Sequence, residues 1–389
     1  MNKANNYLSS VALRNFKAIR KTGALRLTPL TVFIGNNGSG KSSVIEGLET
    51  LRTFVIEDID AAMQMWRGIE HVRNKAARRQ SLPTAGGEQR SSKPITFRLR
   101  GRVAAETAVI TCELNETENE NVLYVQKEIV AVGRQAVVRD SDNKVHVDGK
   151  FDSVLKPPGK SVMSLSLLHA LKDYIQQWQF LTLWPQAMGN PVPQTRARGE
   201  VSLAKDGSNI AEYLSDIRTR DPAAFEGIVE TLRYVLPCAT DMQPALTSEL
   251  ERTVYLQMTE GDFEVPGWLL STGTLRILTL LAVLRHPKPP PLILVEEIEN
   301  GMDPRTAHLL VEEIQSVVES GRSQVVATTH SPYLLDLLPL SSIVFVERQD
   351  GGDPIFTRPA DEKAKRDWAK EFGPGQLYTM SRLSRGAGQ

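Results

Sequence analysis

Little in these 389 residues points out of the cell or into a membrane. Cysteine is nearly absent: only Cys112 and Cys238 occur, with no spacing that would build a disulfide framework or a metal site, which suits a reducing cytosol. No apolar run approaches the roughly 18 residues that span a bilayer, and Met1-Asn2-Lys3 opens no signal peptide. A soluble, cytoplasmic protein with no membrane partner is expected. Net charge is missing too: 46 basic and 46 acidic residues cancel, so no overall field advertises a nucleic acid or an anionic surface. Sustained heptads are also lacking, which excludes long coiled-coil arms.

What is present is a phosphate-binding loop. Gly35-Asn36-Asn37-Gly38-Ser39-Gly40-Lys41-Ser42 directly follows the apolar run Leu30-Thr31-Val32-Phe33-Ile34, and Ser43 continues into a helix. Glycines let the backbone wrap closely around phosphate oxygens, Lys41 reaches the β- and γ-phosphates, the Ser42 hydroxyl ligates Mg²⁺, and the helix points its N-terminus at the anion. The chain is expected to bind ATP with Mg²⁺.

A second set of residues lies far downstream. Leu292-Ile293-Leu294-Val295 is a short β-rich run that delivers Glu296 and Glu297 to its C-terminal end, where ligands gather in parallel α/β sheets. Upstream, Leu270-Ser271-Thr272-Gly273-Thr274 opens an apolar helix. Downstream come Ile298-Glu299-Asn300-Gly301-Met302-Asp303 and a strand, Gln324 to Thr328, ending in Thr329-His330-Ser331.

Signature, Walker B, D-loop and switch histidine appear here in the order found in ABC-type ATPases, and the chain resembles a RecF/SMC-like ABC ATPase. The likeness is to the compact prokaryotic RecF-like or AAA-family group, related to the ATPase part of overcoming-lysogenization nucleases. It runs from Asn15-Phe16-Lys17-Ala18 through Asp206-Gly207-Ser208-Asn209 to Gly373-Pro374-Gly375-Gln376-Leu377. Three features depart from the usual pattern: Glu296 stands where Asp is usual, Ile298 where Pro is frequent, and Ser271-Thr272-Gly273-Thr274 replaces the Ser-Gly-Gly-Gln of transporters. Slow turnover is the expectation.

The resemblance implies an ATP-dependent, head-to-tail homodimer, or higher oligomer, around two ATP. Ser271 and Gly273 would touch the partner's γ-phosphate, and Asp303 would couple the sites. Glu296 and Ser42 would hold Mg²⁺, Glu297 would activate water, and His330 and Lys41 would complete catalysis. Gln89 and Gln126 both stand open as the Mg²⁺-sensing glutamine.

The expected fold is α/β, a bilobed ABC-type P-loop core with an antiparallel β subdomain and a helical insert. Its parts are a first lobe over 1–150, the insert over 151–240 and a second lobe over 241–389. Strands are read over Ile95–Val103, Ala108–Glu113, Val122–Val132 and Gln135–Val147, and a helix is read after Asp221-Pro222. Asp140-Ser141-Asp142-Asn143 lacks the glycine and glutamate of a calcium loop and reads as a hairpin turn. Trp178 and Trp184 sit among apolar neighbours and read as core.

Between Arg67 and Arg102, Arg67, Arg73, Lys75, Arg78, Arg79, Arg90, Lys93, Arg98, Arg100 and Arg102 face only Glu70 and Glu88, which is either a phosphate-binding stripe or a solvated face balanced in space. The resemblance favours double-stranded DNA. The leading reading is a DNA-associated sensor or motor in DNA repair or anti-phage defence, acting through a separate effector such as a nuclease. The alternative is an ATP-regulated scaffold that never touches DNA, and a transporter subunit ranks last. Only 59 residues (389 minus 330) follow His330, too few for a nuclease domain in the same chain.

Overall fold

The structure, a computed structural model, describes residues 6–77, 80–84, 87–117, 122–155, 157, 159–194, 199–247, 252–348 and 352–383. It forms two compact units: residues up to Trp178 together with Val344–Asp361, and Gln179–Ile343 together with Glu362–Leu383. These boundaries differ from those expected at 150 and 240. The segment expected to open a helical insert contributes its first part, including the helix His169–Gln176, to the first unit.

The first unit is built on an antiparallel sheet running in the order Lys150–Val154, Lys144–Val147, Gln135–Arg139, Leu123–Val132, Glu106–Glu116, Ile95–Val103, Tyr7–Phe16 and Ile19–Lys21. Strand periodicity sends alternate side chains to opposite faces. Val11, Leu13, Phe97, Leu99, Ile110 and Cys112 are buried on one face, against which the helix Lys41–Ile56 presents Val44, Leu48, Leu51 and Val55. The run from 135 to 147 is a hairpin, Gln135–Arg139 paired with Lys144–Val147 about the turn read at Asp140-Ser141-Asp142-Asn143. Asp140 accepts hydrogen bonds from the Asp142 and Lys144 N–H groups and so folds the turn. Trp178 is buried, whereas Trp184 is 59% exposed and is no core residue; Met188, four residues on, is buried.

An ion pair lies wholly inside this unit. Glu128 and Arg139, both with no side-chain exposure, stand 3.7 Å apart. Glu128 also accepts from the Ser161 hydroxyl and the Val162 N–H, and Arg139 donates to Asn143 and to the Lys160 carbonyl. Burial pushes the Glu128 carboxyl up and the Arg139 guanidinium down from their ordinary values, each opposed by its partner. The pair pins the chain leaving the sheet to the sheet itself.

The second unit holds a parallel sheet, Gln179–Leu181, Leu292–Val295 and Gln324–Thr329, in the register Leu181↔Val295↔Ala327. Beside it a small antiparallel sheet of Val192–Pro193, Thr253–Glu260, Ala239–Leu246 and Phe263–Pro266 packs with the helices Ile210–Arg220 and Pro222–Val235. Asp221 caps the latter by accepting from the Ala224 N–H at 3.0 Å, with Pro222 at the first position.

Arg139→Met would leave a buried carboxylate without its cation, and a loss of about 3–5 kcal/mol is expected in urea unfolding. Adding Glu128→Gln should restore most of it, since the uncompensated charge is then gone.

Candidate functional site

The phosphate loop belongs to the first unit. Leu30–Ile34 is buried along its whole length and ends at the buried Gly35, while Asn36, Asn37 and Gly38 are exposed. The Ser39 N–H donates to the Asn36 carbonyl, and Gly38 (φ 72°) and Gly40 (φ 102°) take left-handed conformations that residues with a Cβ seldom adopt. The loop then runs straight into the helix Lys41–Ile56. Lys41 is 5% exposed, and its ammonium donates to the carbonyls of Gly35 (2.7 Å) and Asn36 (2.9 Å).

Two observations fit this loop to phosphate. No side chain caps the helix, so its first N–H groups are available to an anion. The Ser39 hydroxyl is buried and has no hydrogen-bond partner. Ser42 is half-buried at the helix start and Ser43 is buried behind it.

The rest of the site residues expected from sequence lie in the second unit. The buried strand Leu292–Val295 ends in a turn held by three donors: Glu296 N–H to the Leu181 carbonyl, Glu297 N–H to the Thr328 hydroxyl, and Ile298 N–H to the Thr328 carbonyl. Glu297 sits at φ 48°, a left-handed conformation that costs a non-glycine residue roughly 1–2 kcal/mol. The strain lifts its side chain into solvent, where Oε2 accepts from the Asn300 amide at 3.2 Å. Glu296 is half-buried.

The structure also gives a place to Glu299, which the sequence did not single out for a role, and to Arg276, which follows the signature. Glu299 Oε1 accepts from the backbone N–H of His330 at 2.8 Å, and its Oε2 is buried with no partner. Arg276, in the first turns of the helix Thr272–Leu284, donates to the Leu183 carbonyl at 2.9 Å. Burial pushes its guanidinium below the ordinary value, against the pull of Glu297 and Glu299. A carboxylate four residues past the strand end looks like any surface acid in sequence, and only the fold shows what it holds.

Ser271 and Asp303 each cap a helix. Ser271 accepts from the Thr274 N–H at 3.1 Å. Asp303 accepts from the N–H groups of Arg305 and Thr306 and from the Thr306 hydroxyl, which holds its carboxyl below the usual range. Gly273 lies against the D-loop turn, where a Cβ would run into the Gly301 carbonyl.

Of the two candidates for a Mg²⁺-sensing glutamine, Gln126 accepts from the Asn115 amide, and the Gln89 side chain lies outside the described residues. Among the described residues no group of three His, Cys, Asp or Glu could enclose a metal. The oxygen donors of Ser42 and Glu296 suit Mg²⁺, which binds through one or two protein ligands plus phosphates and water.

Two family models match the chain. One, described as an AAA domain, putative AbiEii toxin, Type IV TA system, covers residues 166–336, and the other, an AAA ATPase domain, covers residues 7–99. A solved Smc head bound to the C-winged helix domain of ScpA is 16% identical with a TM-score of 0.54, covering 92% of this chain and 99% of that one. A Smc head domain with an extended coiled coil, bound to the C-terminal domain of ScpA derived from Pyrococcus furiosus, is 16% identical with a TM-score of 0.52, covering 94% and 99%.

The Nod factor export ATP-binding protein I of Sinorhizobium fredii (strain NBRC 101917 / NGR234) is 29% identical over 37% of this chain and 38% of its own length. The ABC transporter G family member 43 of Arabidopsis thaliana is 23% identical over 44% of this chain and 12% of its own. The chain thus spans well under half the length of these curated relatives. The fold is that of a RecF/SMC-like ABC-type ATPase, mixed α/β with an antiparallel sheet.

Because Gly273 has no room for a methyl, Gly273→Ala should cost about 1–3 kcal/mol in denaturant unfolding by forcing the signature helix away from the D-loop turn. Gly199→Ala, where a Cβ meets nothing within 4 Å, should stay within about 0.5 kcal/mol of the parent.

Proposed function

We propose that this chain is an ATP-driven switch that binds and hydrolyses ATP, self-associates around two nucleotides, engages duplex DNA in repair or defence, and passes its state to a separate effector protein. The observation that carries the reading is the phosphate loop. An uncapped helix N-terminus, a partnerless buried Ser39 hydroxyl and a lysine pre-positioned by loop carbonyls form a cradle that asks for phosphate oxygens.

Backbone N–H groups of Gly38, Gly40 and Lys41 hold the phosphates, and Lys41 neutralises charge on them. Ser42 and Glu296 would hold Mg²⁺, which when bound spreads the charge of the β- and γ-phosphate oxygens. Glu297, exposed and at a left-handed backbone position, orients or deprotonates the attacking water. His330 hydrogen-bonds the γ-phosphate or that water, from a backbone position fixed by Glu299. Ser271 and the backbone of Gly273 act on the γ-phosphate held by a second copy, and Asp303 couples the paired sites.

Phosphoryl transfer is mostly positioning and charge stabilisation, so binding can close an assembly and hydrolysis can open it. Output through another protein is supported by two likenesses: to a family model described as an AAA domain, putative AbiEii toxin, Type IV TA system, and to solved Smc heads bound to ScpA domains. The exporter and transporter names belong to relatives that share only part of this chain, and no helix among the described residues is long and apolar enough to cross a membrane.

Glu297→Gln keeps size and hydrogen bonding but removes the charge. Phosphate release should fall by about a hundredfold or more, while ATP still binds and the ATP-bound dimer accumulates in light scattering. Lys41→Ala should lose both binding and dimerisation. Turnover that rises with added duplex supports the DNA-associated switch, whereas turnover indifferent to DNA favours an assembly scaffold.

A further inference from the structure

Arg14, Lys21, Arg98 and Arg100 line one cavity of about 580 Å³ on the outer face of the antiparallel sheet, in company with a single carboxylate, Glu113. Strand pairing explains how they meet. Ala12 faces Arg98, Ser10 faces Arg100 and Arg14 faces Thr96 across one strand boundary, and Arg14 faces Lys21 across the next. With Val11, Leu13, Phe97 and Leu99 turned inward, the alternate residues must all point out.

Like charges set directly opposite each other on a sheet are destabilising, yet Arg14 and Lys21 are so placed. No ion pair joins any of the four cations to another residue among the described ones, although the chain as a whole carries an acid for every base. Four cations against one carboxylate leave an excess of three positive charges in the cavity lining. Between the long basic side chains the floor is made of small residues, Ser10, Ala12 and Thr111 among them, so an anion can come close to the backbone.

We propose that this sheet face is a binding site for the phosphodiester backbone of double-stranded DNA, a reading that rests on the DNA-associated function above and locates it. Several separate cations spread over neighbouring strands, about 4.8 Å apart and with about 6.8 Å between alternate residues, match a repeating anion better than a single phosphate. A duplex presents one charge per about 1.7 Å of its axis, and the guanidinium fork pairs two-pronged with phosphate. The lining holds no aromatic residue, so it offers no stacking platform for the bases of a single strand. Such contacts position the duplex and carry no sequence information.

The basic run read from sequence places the site differently. Arg73 of that run is buried against Glu116 and is not available, and the side chains of Arg78, Arg79 and Arg90 lie outside the described residues. Arg14 and Lys21, far from the run in sequence, take their place.

The test is fluorescence anisotropy of the full chain with a labelled duplex of random sequence and with the matching single strand, over about 50–200 mM salt. The variants are Arg98→Gln/Arg100→Gln, Arg14→Gln/Lys21→Gln, and a control pair at exposed positions elsewhere, Arg67→Gln/Lys75→Gln. Each sheet-face pair should bind duplex about tenfold or more weakly, with the salt slope reduced by about two, uniformly across sequences. Thermal unfolding should come no earlier than in the parent, since Arg14→Gln/Lys21→Gln relieves a like-charge pair, and basal ATP turnover should match it. A parent that binds no duplex at low salt overturns the DNA reading and this site with it. A parent that binds, with sheet-face variants unchanged in affinity and slope, overturns the site and leaves the reading standing. Tighter binding of the single strand than of the duplex overturns the assignment to duplex backbone.

Discussion

Three backbone N–H groups hold the second half of this molecule in order. A strand of four buried residues cannot simply stop, because the donors of Glu296, Glu297 and Ile298 would be left without partners at the edge of the core, and buried N–H groups are almost never left so. The Leu181 carbonyl takes the first and Thr328 takes the other two, one with its hydroxyl and one with its carbonyl. In that arrangement Glu297 takes a left-handed conformation with its side chain exposed, and two residues on Glu299 accepts from the His330 backbone N–H. The position of the acids is thus a consequence of satisfying the end of a strand.

The segments that sequence could assign to a subgroup but to no chemistry brace this arrangement. Asp206 and Lys205 accept from Trp184 and Thr182 through their carbonyls, and Asn209 ties back to Ala204 and Ser202, which steadies the chain just beyond the strand that carries Leu181. The segment Gly373 to Leu377 does the same for the turn after His330. The Gly375 N–H donates to Asp336 at 2.7 Å, at a spot so close to the Pro332 carbonyl that no side chain fits. Both segments act on the ends of strands that carry site residues, which is a structural service with functional reach.

The phosphate loop was legible in sequence because strand, turn and helix are contiguous, so chemistry and geometry sit in one stretch of residues. The acids were legible as the end of an apolar run. Thr328 was not, being 31 residues from the Glu297 whose N–H it accepts, and nothing local marks its hydroxyl as a backbone partner. The strand Gln179–Leu181 was hidden for a different reason: three residues show no period, and helical neighbours drew the region into an insert. Charge was the least readable. A net of zero concealed a sheet face with an excess of cations, and a linear run mixed buried Arg73 with exposed Arg98 and Arg100, which only the two-residue alternation of a strand separates.

Ser271 and Asp303 each serve their own helix, and the bonding capacity they have left bounds what else each could do. A hydroxyl has one hydrogen and two lone pairs, so when Ser271 accepts from both the N–H and the hydroxyl of Thr274 its own hydrogen stays available to a phosphate oxygen, and in that arrangement capping and phosphate contact are compatible. A carboxylate only accepts, with about four lone-pair sites. Asp303 gives two on Oδ1 to the Arg305 and Thr306 N–H groups and one on Oδ2 to the Thr306 hydroxyl. A single acceptor site remains, on Oδ2, so any coupling that Asp303 performs runs through one donor reaching that oxygen. The cap fixes that oxygen at the start of the helix Pro304–Glu319.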